Sequence, residues 1–87
     1  MILTIVATRD IKANAFAQPQ FVQNIGHYMR AFSDEVNRKD ENNLLWKHPE
    51  DFEIYELGKY DDNTAEFILH DKPKQLGVAT NYVITKQ

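Results

Sequence analysis

The sequence contains no cysteine, which removes disulfide staples, thiolate zinc sites and cysteine nucleophiles together. Glycine is scarce, and Gly26, Gly58 and Gly77 stand too far apart to form a phosphate-cradling loop. No apolar run approaches the roughly 18 residues that a membrane span requires. Residues 1–7 are apolar but too short for a signal-peptide core, and no basic segment precedes them. The chain is therefore expected to act in the compartment where it is made, away from membranes. Positive charge is not in excess: 10 Lys and Arg meet 13 Asp and Glu, for a formal net charge of −3. That balance argues against an arginine-rich coating of nucleic acid. No repeat or low-complexity tract divides the 87 residues, so one domain over 1–87 is expected. A chain this short has room for a single thin core and not for a catalytic and a substrate domain.

What is present is a pattern of strands and one helix. Ile2-Leu3-Thr4-Ile5-Val6-Ala7 is apolar at both parities, as in a central strand covered on both faces. Residues 11–18 have no clean period and read as a loop anchored by Phe16. Pro19 suits a helical first turn, because the N–H it lacks would be unpaired there anyway. From there Val22, Ile25, Met29, Phe32 and Val36 recur three or four residues apart, the seam of an amphipathic helix reaching about Arg38. Within it Gly26 would mark a close approach of another backbone, and Arg30 would pair with Asp34. The helix dissolves in the polar run from Lys39 to Asn43.

Residues 52–59 and 65–70 read as two strands joined by a turn at Tyr60-Asp61-Asp62-Asn63-Thr64. With Asp62 and Asn63 as its central pair, Lys59 falls opposite Glu66, Leu57 opposite Ile68 and Tyr55 opposite His70. A four-residue loop would shift that register. Residues 1–71 form the expected core, and 72–87 a basic tail that is docked, a short strand, or ordered only by a partner. The fold class is a small two-layer α+β domain, strand-helix-strand-strand, with one helix on an incomplete sheet. Strand-one residues facing away from the helix need a second layer, which a homodimer would supply.

Catalytic chemistry is missing. His27, His48 and His70 have no metal-ligand spacing, so no metal site is expected. Asp61-Asp62-Asn63 lacks the glycine and closing glutamate of a calcium loop and reads as a solvated turn. No cofactor motif is present, and the expectation is a protein that is not an enzyme.

Charge is unevenly spread. Residues 1–33 carry a net +2, residues 34–71 a net −8, and residues 72–87 a net +3. Arg9, Lys12, Lys72, Lys74 and Lys86 in the basic ends could contact phosphates of single-stranded DNA. Phe16 and Phe21 would be either stacking platforms for bases or plugs of the core. In the alternative reading Glu53, Glu56, Asp61 and Asp62 form an acidic surface for a basic protein.

Three stretches carry a family resemblance: TRDIKANAFAQP (8–19), MRAFSDEVNR (29–38) and HPEDFEIYELGKYDDNT (48–64). Together they resemble the small non-structural protein of gokushoviruses, a branch of the Microviridae with circular single-stranded DNA. The chain departs from that pattern at Ala65, where relatives commonly have glycine after the turn threonine. The resemblance implies a DNA-binding accessory of phage DNA replication, similar in role to microvirus protein C, which supports the synthesis of single-stranded genomes for packaging. It implies action in the cytoplasm of the infected bacterial host. It carries no catalytic residues. If DNA is not touched, the implied partner of the acidic surface is the replication initiator or the procapsid.

Overall fold

The computed structural model describes residues 1–84. Strand β1 spans Ile2–Asp10, followed by two short strands, β2 (Ala15–Phe16) and β3 (Gln20–Val22). Helix α1 covers Ile25–Val36 and the one-turn helix α2 covers Leu44–Lys47. Strands β4 (Phe52–Asp61) and β5 (Glu66–Val78) complete one antiparallel sheet ordered β2-β1-β4-β5, with β3 also on β1. The α+β class and the central place of β1 are as the sequence implies. The molecule is elongated, 48 × 25 × 20 Å.

The helix begins at Ile25, not at Pro19. Gln20, Phe21 and Val22 instead pair with Val6, Ile5 and Thr4 of β1. Asn24 then caps α1, its Oδ1 accepting the His27 amide at 3.1 Å. Gly26 therefore sits in the first turn, where an added Cβ would meet the capping oxygen of Asn24 at 3.1 Å rather than another backbone. Arg30 and Asp34 form no ion pair among the described residues; Arg38 clasps Glu35 and Asp40 instead. Asn43 ends the polar break, donating to the carbonyls of Glu35 and Arg38 and capping Leu45 of α2.

One face of the sheet packs on α1. Phe32 and Val36 meet Ile54 and Ala79, with Tyr28, Met29, Leu45, Phe52, Leu76 and Tyr82 around them. Burying a side chain such as Ile54 completely is worth about 1.5–3 kcal/mol, so this cluster is the main source of cohesion. Ala79 belongs to it because β5 runs on to Val78 and a 3₁₀ turn follows at Ala79–Tyr82. The basic segment after Asp71 is thus sheet and core for most of its length, not a tail.

The β4–β5 turn is two residues longer than the expected one. Asp61 pairs with Glu66, Tyr60 with Phe67, Lys59 with Ile68 and Gly58 with Leu69. Ala65 closes the turn at φ 62°, a left-handed conformation. Nearer the core the ladder bulges: Val6 pairs with Glu56 but Ile5 with Gly58, leaving Leu57 extra on β4. A second irregularity separates Leu69 from Lys74 on β5.

The face of β1 away from α1 is already covered within one chain. Ile5 is 3 % and Ala7 2 % exposed. Phe21 stands opposite Ile5, and Phe16 and Tyr55 flank Ala7. The premise that a second subunit must cover these residues does not hold.

Candidate nucleic-acid interface

In a strand, successive side chains alternate between faces, and directly paired residues share a face. Arg9 pairs with Phe16 and Glu53, Ala7 with Tyr55, Ile5 with Phe21 and Gly58, and Leu3 with Tyr60. Extended to β5, the same face takes Phe67, Leu69 and Gln75. All of these lie opposite the helix-covered face, where Thr8, Val6 and Ile54 belong. Its aromatic rings form two groups. Phe16 meets Tyr55 edge-on with centroids 5.4 Å apart. Phe21, Tyr60 and Phe67 form a triad, with centroids 5.3 Å (Phe21–Tyr60), 4.8 Å (Tyr60–Phe67) and 6.1 Å (Phe21–Phe67) apart. The β1 partners of Phe16 and Phe21, Arg9 and Ile5, lie four residues apart, about 13 Å at the rise of a strand. The floor between the two groups is made by Ala7 and Gly58.

Phe16 and Phe21 are each 46 % exposed, so they are neither fully buried plugs nor free rings. Each presents one side to solvent and rests the other on the sheet. Tyr55, Tyr60, Phe67 and Leu69 complete the surface and were not gathered from the sequence. Alternation along β4 was the available signal, but only the observed hairpin register sets Tyr60 beside Phe67.

Arg9 and Glu53 are the charges that the pairing puts on this face. The Arg9 guanidinium lies 3.0 Å from Glu53 and 2.7 Å from Asn14 Oδ1. Glu53 also accepts the Tyr55 hydroxyl at 3.0 Å and the Gln75 amide at 3.3 Å. Burial of the Tyr55 phenol, then its hydrogen bond to Glu53, raises its pKa above the ordinary tyrosine value. Arg9 is therefore a half-buried, paired cation rather than a free phosphate ligand.

The remaining predicted cations do not converge. Lys12 is exposed in the turn after β1, and Lys72 lies in the irregular stretch of β5. Lys74 pairs in register with Glu56, which places it on the helix side. Lys86 lies outside the described residues.

Nor do the four acidic residues form one patch. Glu53 and Asp61 are eight residues apart on β4, about 26 Å at strand rise. Glu56 holds His70 at 2.6 Å, Asp62 holds the N-terminal ammonium at 2.7 Å, and Asp61 accepts the Asn63 amide. On the helix side, Arg38 holds the Glu35 carboxyl below its usual range, and the Asn42 amide and Arg38 do the same for Asp40. His48, Glu50 and Asp51 bring ligand atoms within 4.8 Å of one another at an exposed turn, where water competes freely for any ion.

No helix among the described residues is long and apolar enough to cross a membrane. No curated protein and no solved structure matches the chain. A family model does, that of the Phage ORF5 protein, over residues 3–82. That span runs from the second residue of β1 to the end of the last 3₁₀ turn, taking in both aromatic groups and the whole core, and the chain belongs to the Phage ORF5 protein family.

Proposed function

We propose that this phage protein is a non-enzymatic accessory of viral DNA replication that binds single-stranded DNA on the aromatic face of its sheet. The observation that carries the reading is the pairing of five aromatic rings with a nearly neutral surface. Phe16, Phe21, Tyr55, Tyr60 and Phe67 share one face, and the carboxylate in register with them, Glu53, is already bonded to Arg9. Bases stack on such rings without regard to sequence. Glu56, Asp61 and Glu66 fall on the opposite side by register, so phosphates on the aromatic face would be spared their repulsion. The resemblance to the gokushovirus non-structural protein supports the same role, in the supply of single-stranded genomes for packaging in the host cytoplasm. The alternative, docking of an acidic surface on a replication initiator or procapsid, has less support, because its four carboxylates are dispersed and largely partnered.

Fluorescence anisotropy of a labelled oligodeoxynucleotide tests the reading. Phe21→Ala and Phe67→Ala should each weaken binding by about 5- to 150-fold, the equivalent of one stacked base at about 1–3 kcal/mol. Lys74→Ala, on the other side, should change affinity little, and Lys12→Ala should mainly flatten the salt dependence. Absence of binding at low salt, or affinity indifferent to both phenylalanines in folded variants, would overturn it.

A further inference from the structure

Strand β5 is the outer strand of the sheet, and from Glu66 to Gln75 every residue is exposed. An unpaired edge is a template for another strand, and folded proteins blunt it with proline, lysine and irregular pairing. The second half of this edge has all three, in Lys72, Pro73, Lys74 and the broken ladder opposite Leu57. The first half, Glu66-Phe67-Ile68-Leu69-His70, has none of them. Its three apolar residues are 57 %, 60 % and 62 % exposed in turn, and their regular pairing with β4 keeps the segment straight.

That segment is complementary to itself. An antiparallel copy related by a two-fold axis at Ile68 sets Ile68 against Ile68, Phe67 against Leu69 and Glu66 against His70. The end pair sets the Glu66 carboxylate, which enters no ion pair among the described residues, opposite the His70 ring. His70 Nε2 meets Glu56, and in the imidazolium form the ring has an Nδ1–H left to donate to the Glu66 carboxylate of the second copy. A one-residue slip either way keeps one apolar pairing, Ile68 with Leu69 or with Phe67, but sets Glu66 against Asp71 or Leu69 and loses the polar match. From these features we infer that the protein dimerises by pairing of β5 with the β5 of a second copy, over residues 66–70.

The two-fold lies perpendicular to the sheet, so the two sheets become one and their aromatic faces lie on the same side. Phe67 of each copy then abuts Leu69 of the other. The dimer would double the aromatic surface without covering it, unlike a face-to-face dimer. The inference stands on the edge alone and does not require that DNA be bound.

The absence of cysteine makes a clean test, done without nucleic acid. Ile68→Cys places two thiols directly opposite, with Cα atoms about 4.5–5.5 Å apart, within disulfide range. Glu66→Cys and His70→Cys each stand about 13 Å from their own copies, beyond it. Mild oxidation should yield a covalent dimer for Ile68→Cys, none for the other two singly, and a mixed dimer when those two are combined. Sedimentation equilibrium of the unmodified chain should show a reversible monomer–dimer exchange. Ile68→Glu, which gains Lys59 as a neighbour in its own chain but opposes a like charge across the axis, should be monomeric with an unchanged circular dichroism spectrum. A chain that stays monomeric at every concentration, or equal cross-linking at positions 66, 68 and 70, would overturn the assignment.

Discussion

Arg9 and Glu53 stand opposite each other on β1 and β4, and their side chains pair at 3.0 Å on the sheet face that carries the exposed rings. The pair is half-buried and shared with Asn14, Tyr55 and Gln75, so it is a fixed element of the surface rather than a mobile surface bridge. Its consequence is electrostatic: the face keeps a carboxylate without keeping its net charge.

Removing one partner should therefore change DNA binding in opposite directions. Glu53→Gln frees the Arg9 cation and should tighten binding several-fold, while steepening the salt dependence by about 0.7 in log K against log salt, one extra phosphate contact. Arg9→Ala leaves the carboxylate alone and should weaken binding. It should also cost about 1 kcal/mol of stability, since the pair is part-buried and shared. Anisotropy titrations at two salt concentrations, with urea melts beside them, check both.

Ala65 closes the hairpin at φ 62°, where a Cβ costs about 1–2 kcal/mol. Ala65→Gly relieves that cost and gives back part of it through the larger freedom of glycine in the unfolded chain, about 0.5–1 kcal/mol. The expected net gain is up to about 1 kcal/mol, seen as a higher urea midpoint at an unchanged slope, with DNA binding unaffected.

Gly58 has the opposite sensitivity. Its φ is 156°, and a Cβ there would come within 2.3 Å of the Ile68 carbonyl oxygen and 2.7 Å of the Leu69 Cα. Both are backbone atoms of the paired strand and cannot turn aside. Gly58→Ala should cost at least about 3 kcal/mol, a large share of the stability of a domain this size. Loss of the cooperative thermal transition, or a large fall in its midpoint, is the expected readout.

How far the sequence could be read depended on whether the deciding interaction was local. The apolar run of β1, the seam from Ile25 to Val36, β4 and the first part of β5 as far as His70 follow from local pattern, which is a property of neighbours in the chain. The start of α1 was misplaced because Pro19 and Asn24 both signal helix starts. The choice between them was made by β1, which offered Phe21 and Val22 a strand partner. The hairpin register moved by two residues because the turn ends on an alanine in a conformation that glycine would have announced. The candidate site inherited that error. Phe16 and Phe21 were recognisable as aromatic residues near cations, yet Tyr55, Tyr60 and Phe67 join them only through long-range pairing. The cations themselves were misleading, since Arg9 is spent on Glu53 and Lys74 lies on the other side.

Asn37 fastens the end of the described chain to α1. Its Nδ2 donates to the carbonyls of Ser33 and Tyr82, both at 2.8 Å, and its Oδ1 accepts the Ile84 amide at 2.8 Å. Asn37→Leu removes all three bonds and should cost about 2–3 kcal/mol at roughly 1 kcal/mol each. Asn37→Asp keeps the acceptor and loses the donors. Amide exchange should separate the two: Ile84 loses protection in the leucine variant and retains most of it in the aspartate variant.

The Tyr55 phenol gives the aromatic face an alkaline signature. Burial and the Glu53 carboxylate both disfavour the phenolate, so the folded protein holds this proton above the ordinary tyrosine value near 10, which the unfolded chain shows. Below pH about 10 both states are protonated and the stabilisation is complete. As pH rises from there towards the folded value, the unfolded chain releases the proton first, and stability falls. Ultraviolet titration should show a tyrosine component ionising above the ordinary range that is absent from Tyr55→Phe. Urea melts of that variant should lose less stability than the parent over the same alkaline interval. In Glu53→Gln the component should move down only part of the way, because burial, the larger cause, remains. A component that returns fully to the ordinary value in Glu53→Gln would instead make the carboxylate the sole cause, and Tyr55 would then be better hydrated than its packing against Phe16 implies.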